Sequence, residues 1–460
     1  MKFALVTRRY PPECCGVGDY TSRLAELWAR QGHEVVVFVA SPEKQSQKSE
    51  VRSQNERVPE VLVAQEGSFG PANSAGPQDD NQRPANTVRV ERIKLDGWRD
   101  VRGAVEAVLA QRPDAVQLEY SNYGWSRWGF AFWMNRFVRE LRNARSPEAS
   151  GRPYEKIKAS GETQEIPVSV ALHEFPLDFA PAPLLAPVSL LQRLHFGLLV
   201  LSADEVLANT RQRVRILRRW FPWRRDTIRY RPNSSHVPVA AASAEQIALL
   251  RAQHASAGAL VIATFGTYHS NKNFEAVIAA AGELRRERPV ALWLLGDTSP
   301  AQPAYLERLR ATIRERGLDD AAWWPGRMPP AEISLCLQAS DIFVLPQPDG
   351  HLTRSSAFMS AAEHGLPAIA VRHEENQAEF AHGENVWLVE KSRAERFTDA
   401  LRTLAGDAAL RERLGRGLRA LYQREFAWEV AASNKNRKMK SEKRDVENLD
   451  AAAQKGATEH

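Results

Sequence analysis

The reading of the fold turns on one stretch: Phe3-Ala-Leu-Val6, a loop through Tyr10-Pro-Pro and Gly16-Val-Gly18, a segment of helical period over Asp19 to Gln31, and Gly32-His-Glu-Val35-Val-Val-Phe-Val39. An apolar run, an amphipathic helix and a β-branched run in that order form a β-α-β unit, and such a crossover joins parallel strands. The pattern continues downstream. It gives the strand Val88 to Leu95, a helix over Val101 to Gln111, the strand Ala115 to Leu118 and an aromatic helix within Trp125 to Arg142. The strand Val168 to Leu172 ends at His173-Glu174, followed by a helix through Leu190 to Leu201, the strand Glu205 to Ala208 and a basic helix Arg211 to Trp220. The texture then breaks at Pro232-Asn-Ser-Ser-His-Val-Pro238, which reads as an interdomain linker.

Past the linker a second series repeats the alternation, with strands at Val261 to Phe265, Ala291 to Leu295, Ala322 to Trp324, Ile342 to Leu345 and Ala368 to Ala370. Helices fall between them at Phe274 to Arg286, Tyr305 to Arg316, Ala331 to Gln338 and Ser355 to Glu363. Two such series predict an α/β protein with two doubly wound sheets. The expected divisions are residues 1–236, with polar insertions near 41–87 and 144–165, and residues 237–432, closing with a helical segment over Ala394 to Glu425. Residues 433–460 read as a polar, disordered tail.

At 460 residues and 43% hydrophobic, the chain buries a large core, which excludes wholesale disorder. Lys+Arg 62 against Asp+Glu 56 leaves +6, a mild excess that suits anionic ligands without demanding nucleic acid. Cys14, Cys15 and Cys336 have neither a disulfide framework nor a zinc spacing, so a reducing cytoplasm is expected. The run Phe3 to Val6 is too short for a signal sequence, and Leu194 to Leu201 is too short, with His195 inside it, to span a bilayer. The expected place is the cytoplasm, with peripheral contact at the inner membrane face.

Three phosphate or metal signatures are absent: Gly-Lys-Ser/Thr, His-Glu-x-x-His and Asp-x-Asp. No metal is expected. Gly16-Val-Gly18-Asp-Tyr-Thr21 opens a helix after the first strand, but Thr21 stands where a dinucleotide fingerprint has its third glycine. Gly16 and Gly18 still allow a ligand to approach a helix N-terminus closely. Lys272 and Arg354 each precede a helix at a strand end, where doubly wound sheets bind ligands, so two cations and two helix starts make an anion site. His173-Glu174 ends an apolar strand, and either orients an acceptor or hydrogen-bonds a sugar, or else His173 is a satisfied structural histidine bonded to a backbone carbonyl. Asp19 is a second acceptor-side candidate, or a helix N-cap. The aromatics of Tyr123 to Phe137 read mainly as core, whereas Arg211 to Arg231 interleaves arginines with Trp220, Phe221, Trp223 and Tyr230, a pattern suited to acidic lipid headgroups or another polyanion.

Tyr10-Pro-Pro with Gly16-Val-Gly18-Asp-Tyr-Thr, Gly32-His-Glu-Val and Leu172-His173-Glu174 in one half, and Phe265-Gly266, Lys272, Gly296, Gly326, Ala339-Ser-Asp341-Ile-Phe-Val-Leu-Pro346 and His364-Gly365-Leu-Pro367 in the other, resemble a glycosyltransferase of the GT-B fold, family 4 type. The resemblance runs from Met1 to Ala432 apart from the two insertions. It implies two Rossmann-like domains facing across a cleft, a nucleotide-sugar held mainly by the second, an acceptor by the first, and a C-terminal helix crossing back. Where many members carry two glutamates eight positions apart, this chain has Leu352 and Ser360; Asp349-Gly350 and Arg354 resemble a subgroup variant instead.

The expected roles follow. His173, Lys272 and Arg354 are catalytic; Gly16, Gly18, Gly266, Lys272, Asp349, Gly350, Arg354 and Glu363 hold the donor; Asp19 and Glu174 face the acceptor. There is no cofactor beyond the nucleoside diphosphate sugar as co-substrate. The reaction moves a sugar to a glycan, lipid-linked or small-molecule acceptor, with retention, and nucleic acid is not expected as a partner. The rivals are a sugar-nucleotide epimerase on the same fold and a non-catalytic nucleotide-sugar or glycan binder.

Overall fold

The computed structural model describes residues 1–13, 15–40, 88–143, 166–176, 186–296, 302–373, 379–390 and 392–432. The polar insertions near 41–87 and 144–165 and the tail 433–460 lie outside the described residues. The first half contains β1 (Lys2–Thr7), α1 (Gly16–Arg30), β2 (Glu34–Val39), β3 (Val88–Arg92), α2 (Val101–Ala110), β4 (Ala115–Tyr120), α3 (Asn122–Trp125), α4 (Phe132–Asn143), β5 (Val168–Leu172), α5 (Ala186–Ser202), β6 (Glu205–Ala208), α6 (Arg211–Trp220) and β7 (Ile228–Tyr230). The second half contains α7 (Ala244–His254), β8 (Leu260–Phe265), α8 (Phe274–Arg285), β9 (Val290–Leu295), α9 (Pro303–Glu315), β10 (Ala322–Gly326), α10 (Pro330–Gln338), β11 (Ile342–Leu345), α11 (Ser356–Glu363), β12 (Ala368–Val371), β13 (Trp387–Val389), α12 (Ala394–Gly406), α13 (Ala408–Leu421) and α14 (Trp428–Ala432).

The strands form two separate sheets, ordered β3-β2-β1-β4-β5-β6-β7 and β10-β9-β8-β11-β12-β13. Every strand pair is parallel, as in Leu5 opposite Val37 and Ile262 opposite Leu292. Parallel strands covered by helices on both faces lose the alternation of half-buried strands, and all six residues of β9, Val-Ala-Leu-Trp-Leu-Leu, are buried. Each sheet reverses its strand order once, between β1 and β4 in the first and between β8 and β11 in the second. These reversals open the crevices in which doubly wound sheets bind ligands.

The expected alternation holds, and the additions are short or lack an apolar face. β7 and β13 are three residues each, too brief for a period to show. α7 buries only Leu250; its signal is the capping box of Ser243 with Gln246. The segment read as a linker is a buried seam, with Ser234 and Ser235 both inaccessible. Asn233 donates to the Arg354 carbonyl at 2.7 Å, and Trp428 Nε1 donates to the Ser235 carbonyl at 2.6 Å. Trp428 also packs with Leu5, Tyr20 and Leu24 of the first half, so the C-terminal segment crosses back as the resemblance implies.

Candidate active site

The C-terminal end of β8 leads through Gly266 into a tight turn over Ser270–Lys272, and Asn273 then takes a left-handed conformation before α8 begins. Asn273 Nδ2 donates to the Ser392 carbonyl at 2.7 Å, and Ser392 Oγ donates to the Pro346 carbonyl at the end of β11. The loops after the two switch-point strands are thereby tied together. Lys272 Nζ donates to the Thr267 carbonyl at 2.9 Å. Burial pushes the Lys272 pKa down, Asp349 pulls it back up, and Arg354 lowers it further, which is the signature of three ionic groups sharing one site.

Across the crevice, Arg354 pairs with Asp349 Oδ2, while Asp349 Oδ1 accepts from Gln347 Nε2 at 2.8 Å. Gly350, at φ +58°, makes the turn possible, because a Cβ there would meet His373 Cβ at 2.7 Å and the Val371 carbonyl at 2.8 Å. Gly266 likewise leaves the space between Lys272 Nζ and Ala357 open to a backbone approach. Gly266, Lys272, Asp349, Gly350 and Arg354 thus meet at one place, beside the N-terminus of α11, which Ser355 caps by accepting from Phe358 N. A pair of cations, a polarising helix start and an acidic residue that orients the arginine can hold a diphosphate.

Glu363 stands apart from this group. It is the last residue of α11, a helix whose eight residues carry it roughly 10 Å from the Arg354 end. Its surroundings are Ser235, Arg23, Glu429 and Arg419, and burial pushes its carboxyl pKa up while Ser235 lowers it. Leu352 and Ser360 do not face the ionic group as a pair either. Leu352 is wholly buried in the second half's core, and Ser360 Oγ is 3.1 Å from Ser235 Oγ in the seam.

The first half's strand ends are built differently. His173 follows β5, and its Nε2 lies 2.6 Å from Glu119 Oε2 on β4. Glu119 Oε1 accepts from Gln117 Nε2, and Gln117 Oε1 accepts from Arg231 at 2.9 Å. Tyr20 of α1 sets its ring edge against His173 at 5.1 Å, and Arg231 lies 5.8 Å from the same tyrosine ring. A small cavity of the first half, at the C-terminal ends of β5 and β6, is lined by Tyr20, His173, Asn209, Arg231 and Asn233. Sequence reasoning missed Tyr20, Gln117, Glu119 and Arg231. The available signal was Gln117 and Glu119 two apart in an otherwise apolar strand, hence on one face.

Of the remaining expected residues, Glu174 accepts from Tyr123 N at 3.1 Å, in α3 after β4. Asp19 lies in the first turn of α1, whose N-cap is Cys15, so it is not the cap. Burial raises its pKa to about 6, against the opposing charge of Arg327 from the second half, whose guanidinium also donates to the Pro12 carbonyl at 2.8 Å. Gly16 is exposed with open space above it, whereas Gly18 packs on backbone: a Cβ there would meet the Arg9 carbonyl at 2.8 Å.

Two family models match this chain: glycosyl transferase 4-like domain over residues 15–234, and glycosyl transferases group 1 over residues 247–420. No curated protein sequence matches it. Among solved structures, HepE of Anabaena in complex with UDP is similar at a TM-score of 0.63 and 14% identity, covering 98% of this chain and 100% of that one. Sucrose-phosphate synthase of Thermosynechococcus elongatus is similar at 0.62 and 17% identity, covering 98% and 99%. The catalytic domain of starch synthase IV from Arabidopsis thaliana, bound to ADP and acarbose, is similar at 0.58 and 14% identity, covering 94% and 97%. With one model on each half and both sheets in this order, the chain belongs to the group 1 glycosyltransferases of the GT-B fold.

Proposed function

We propose that the protein transfers a sugar from a nucleoside diphosphate donor held by Lys272, Arg354, Asp349 and the Gly266 and Gly350 backbones to an acceptor lodged on the His173 side. The observation that carries this is the convergence of Lys272, Asp349 and Arg354 at the β8/β11 switch point. The structures of HepE with UDP and of starch synthase IV with ADP support a nucleoside diphosphate as the leaving group.

In this reading Lys272 and Arg354 take up the charge that develops on the departing diphosphate, each through a charge-assisted bond. They do so without a metal. The sugar passes through an oxocarbenium-like state, and the donor phosphate takes the acceptor's proton, giving retention. Glu119 holds the His173 ring in place from beneath, so that its free edge meets the sugar or acceptor. Asp349 serves recognition by fixing Arg354. Asp19 and Glu174 belong to the acceptor side. The protein works in the cytoplasm, where it meets an anionic membrane peripherally; among the described residues no helix is long and apolar enough to cross a bilayer.

The test is release of UDP or ADP from a set of nucleotide-sugars, with an acceptor panel and with and without a chelator. Acceptor-dependent release that the chelator leaves unchanged is expected. Product formed without acceptor would replace the reading with epimerisation, and tight donor binding without release across the panel would replace it with a binding protein.

A further inference from the structure

α5 is mainly apolar, with Ser189, Gln192, Arg193 and His195 lying away from its exposed leucines. Its inward face buries His195, Phe196, Leu199 and Val200, while Leu190, Leu191, Leu194, Leu198 and Leu201 stand exposed, Leu190 at 60% and Leu194 at 55%. At about 100° per residue these five leucines fall within one arc of roughly 100°, so they form a continuous stripe along the helix. An apolar helix face is ordinarily buried in a core or in lipid, and here the leucine face lies opposite the side that packs on the core.

The stripe is extended at both ends by aromatics. A Cβ on Gly197 would lie 3.4 Å from Phe221 Cζ, which seats the turn after α6 against α5. Trp220 ends α6 and the turn after it carries Trp223, 72% exposed. Toward the other end, Gln192 of α5 donates to the Trp128 carbonyl at 2.8 Å, and Trp128 is itself exposed. The rim is cationic. Arg193 lies over the Trp220 ring at 5.5 Å and Arg127 over the Trp128 ring at 5.8 Å. Arg219 and Arg225 are exposed, and among residues 211–231 Asp226 is the one acidic side chain.

We infer that the outer face of α5, with Trp220 and Trp223, docks on an anionic lipid bilayer. Leucines enter the acyl boundary, indole rings sit at the interface, and arginines meet the headgroups. Charge decides the occupant: a second copy in a two-fold contact would set this arginine rim against itself. The surface also continues to the acceptor side, since Glu174, next to His173, accepts from Tyr123 of α3, the element that leads into the loop carrying Trp128. A docked protein therefore presents its acceptor side near the bilayer, which favours a lipid-linked acceptor. The inference rests on the membrane part of the reading above, but moves the main contact from the basic segment Arg211 to Arg231 to the leucines beside it.

The full chain is sedimented with vesicles of mixed phosphatidylglycerol and phosphatidylcholine, and with phosphatidylcholine alone, at low and high salt. The wild type should bind the anionic vesicles and release them as salt rises. Leu194→Glu with Leu198→Glu should lower partitioning about tenfold or more. Arg219→Gln with Arg225→Gln should lower it roughly fivefold per arginine. UDP binding should be unchanged in both variants, which shows that each is folded. A wild type that stays in solution, or a leucine variant that sediments as well as the wild type, overturns the inference. So does a wild-type dimer that the leucine variant dissolves and that binds no vesicle. Vesicle binding through the leucines without acceptor-dependent UDP or ADP release would sink the transferase reading alone, while release without vesicle binding would sink this inference alone.

Discussion

The two sheets share one topology and put different chemistry at the same topological place. At the β8/β11 reversal the loops hold Lys272, Asp349 and Arg354 at an opening beside a helix start. Around the corresponding strand ends of the first sheet, Glu119, Gln117 and Arg231 form a buried chain of hydrogen bonds beneath His173, Arg231 to Gln117 to Glu119, with Arg231 Nε alone in that chain left without a partner. The lesson is that the fold supplies a crevice in each half, whereas the side chains decide whether it receives an anion or stiffens a wall. An ionic group left partly accessible is available to a ligand; a buried polar chain that meets its own needs mainly holds geometry.

That contrast predicts opposite phenotypes for the two halves. The largest effect should be Glu119→Ala, which leaves His173 and Gln117 without their buried carboxylate and opens a void. It should lower stability by about 2–4 kcal/mol in urea unfolding, while the remaining folded protein binds UDP normally. A loss of UDP affinity at unchanged stability would break the comparison.

Next, Lys272→Ala and Arg354→Ala should each weaken UDP binding by about 1.5–3 kcal/mol, roughly ten- to a hundredfold, with little change in stability or in uridine binding. Calorimetry with UDP and with uridine separates the two; equal loss for both would place the damage in the fold.

Asp19 sharpens the comparison from the seam between the halves. Its folded pKa is raised from 3.8 to about 6, so the folded state holds its proton longer than the unfolded one. This group favours folding below about pH 4 and withdraws that support as pH rises to about 6, leaving an ionised, partly buried carboxylate above. Asp19→Asn should then gain about 1–2 kcal/mol at pH 7, the full shift being discounted for partial solvent exposure, and should flatten the stability profile between about pH 4 and 6. Identical profiles for variant and wild type, read from thermal unfolding, would remove the effect.

The smallest expected change is at Glu363. Because it sits by Ser235 and Arg23, away from the ionic group, Glu363→Gln should alter UDP affinity by less than about 0.5 kcal/mol. A loss like that of Arg354→Ala would return Glu363 to the donor site.

The sequence by itself determined the alternation of strands and helices, the two-sheet architecture, and the position of Lys272 and Arg354 just before helices at strand ends. These are local properties: hydrophobic period, breakers and distance along the chain from the end of a strand. Only the tertiary structure decided that Glu119 meets His173 across two strands, that Arg231 reaches back to Gln117, that Glu363 turns to the seam, and that Trp428 docks on Tyr20. It also decided which side of α5 is left bare. A helix with apolar residues on its exposed as well as its buried side carries no period to choose between them, and a polar residue in an apolar strand does not announce its partner, since both are settled by contacts between segments far apart in the chain.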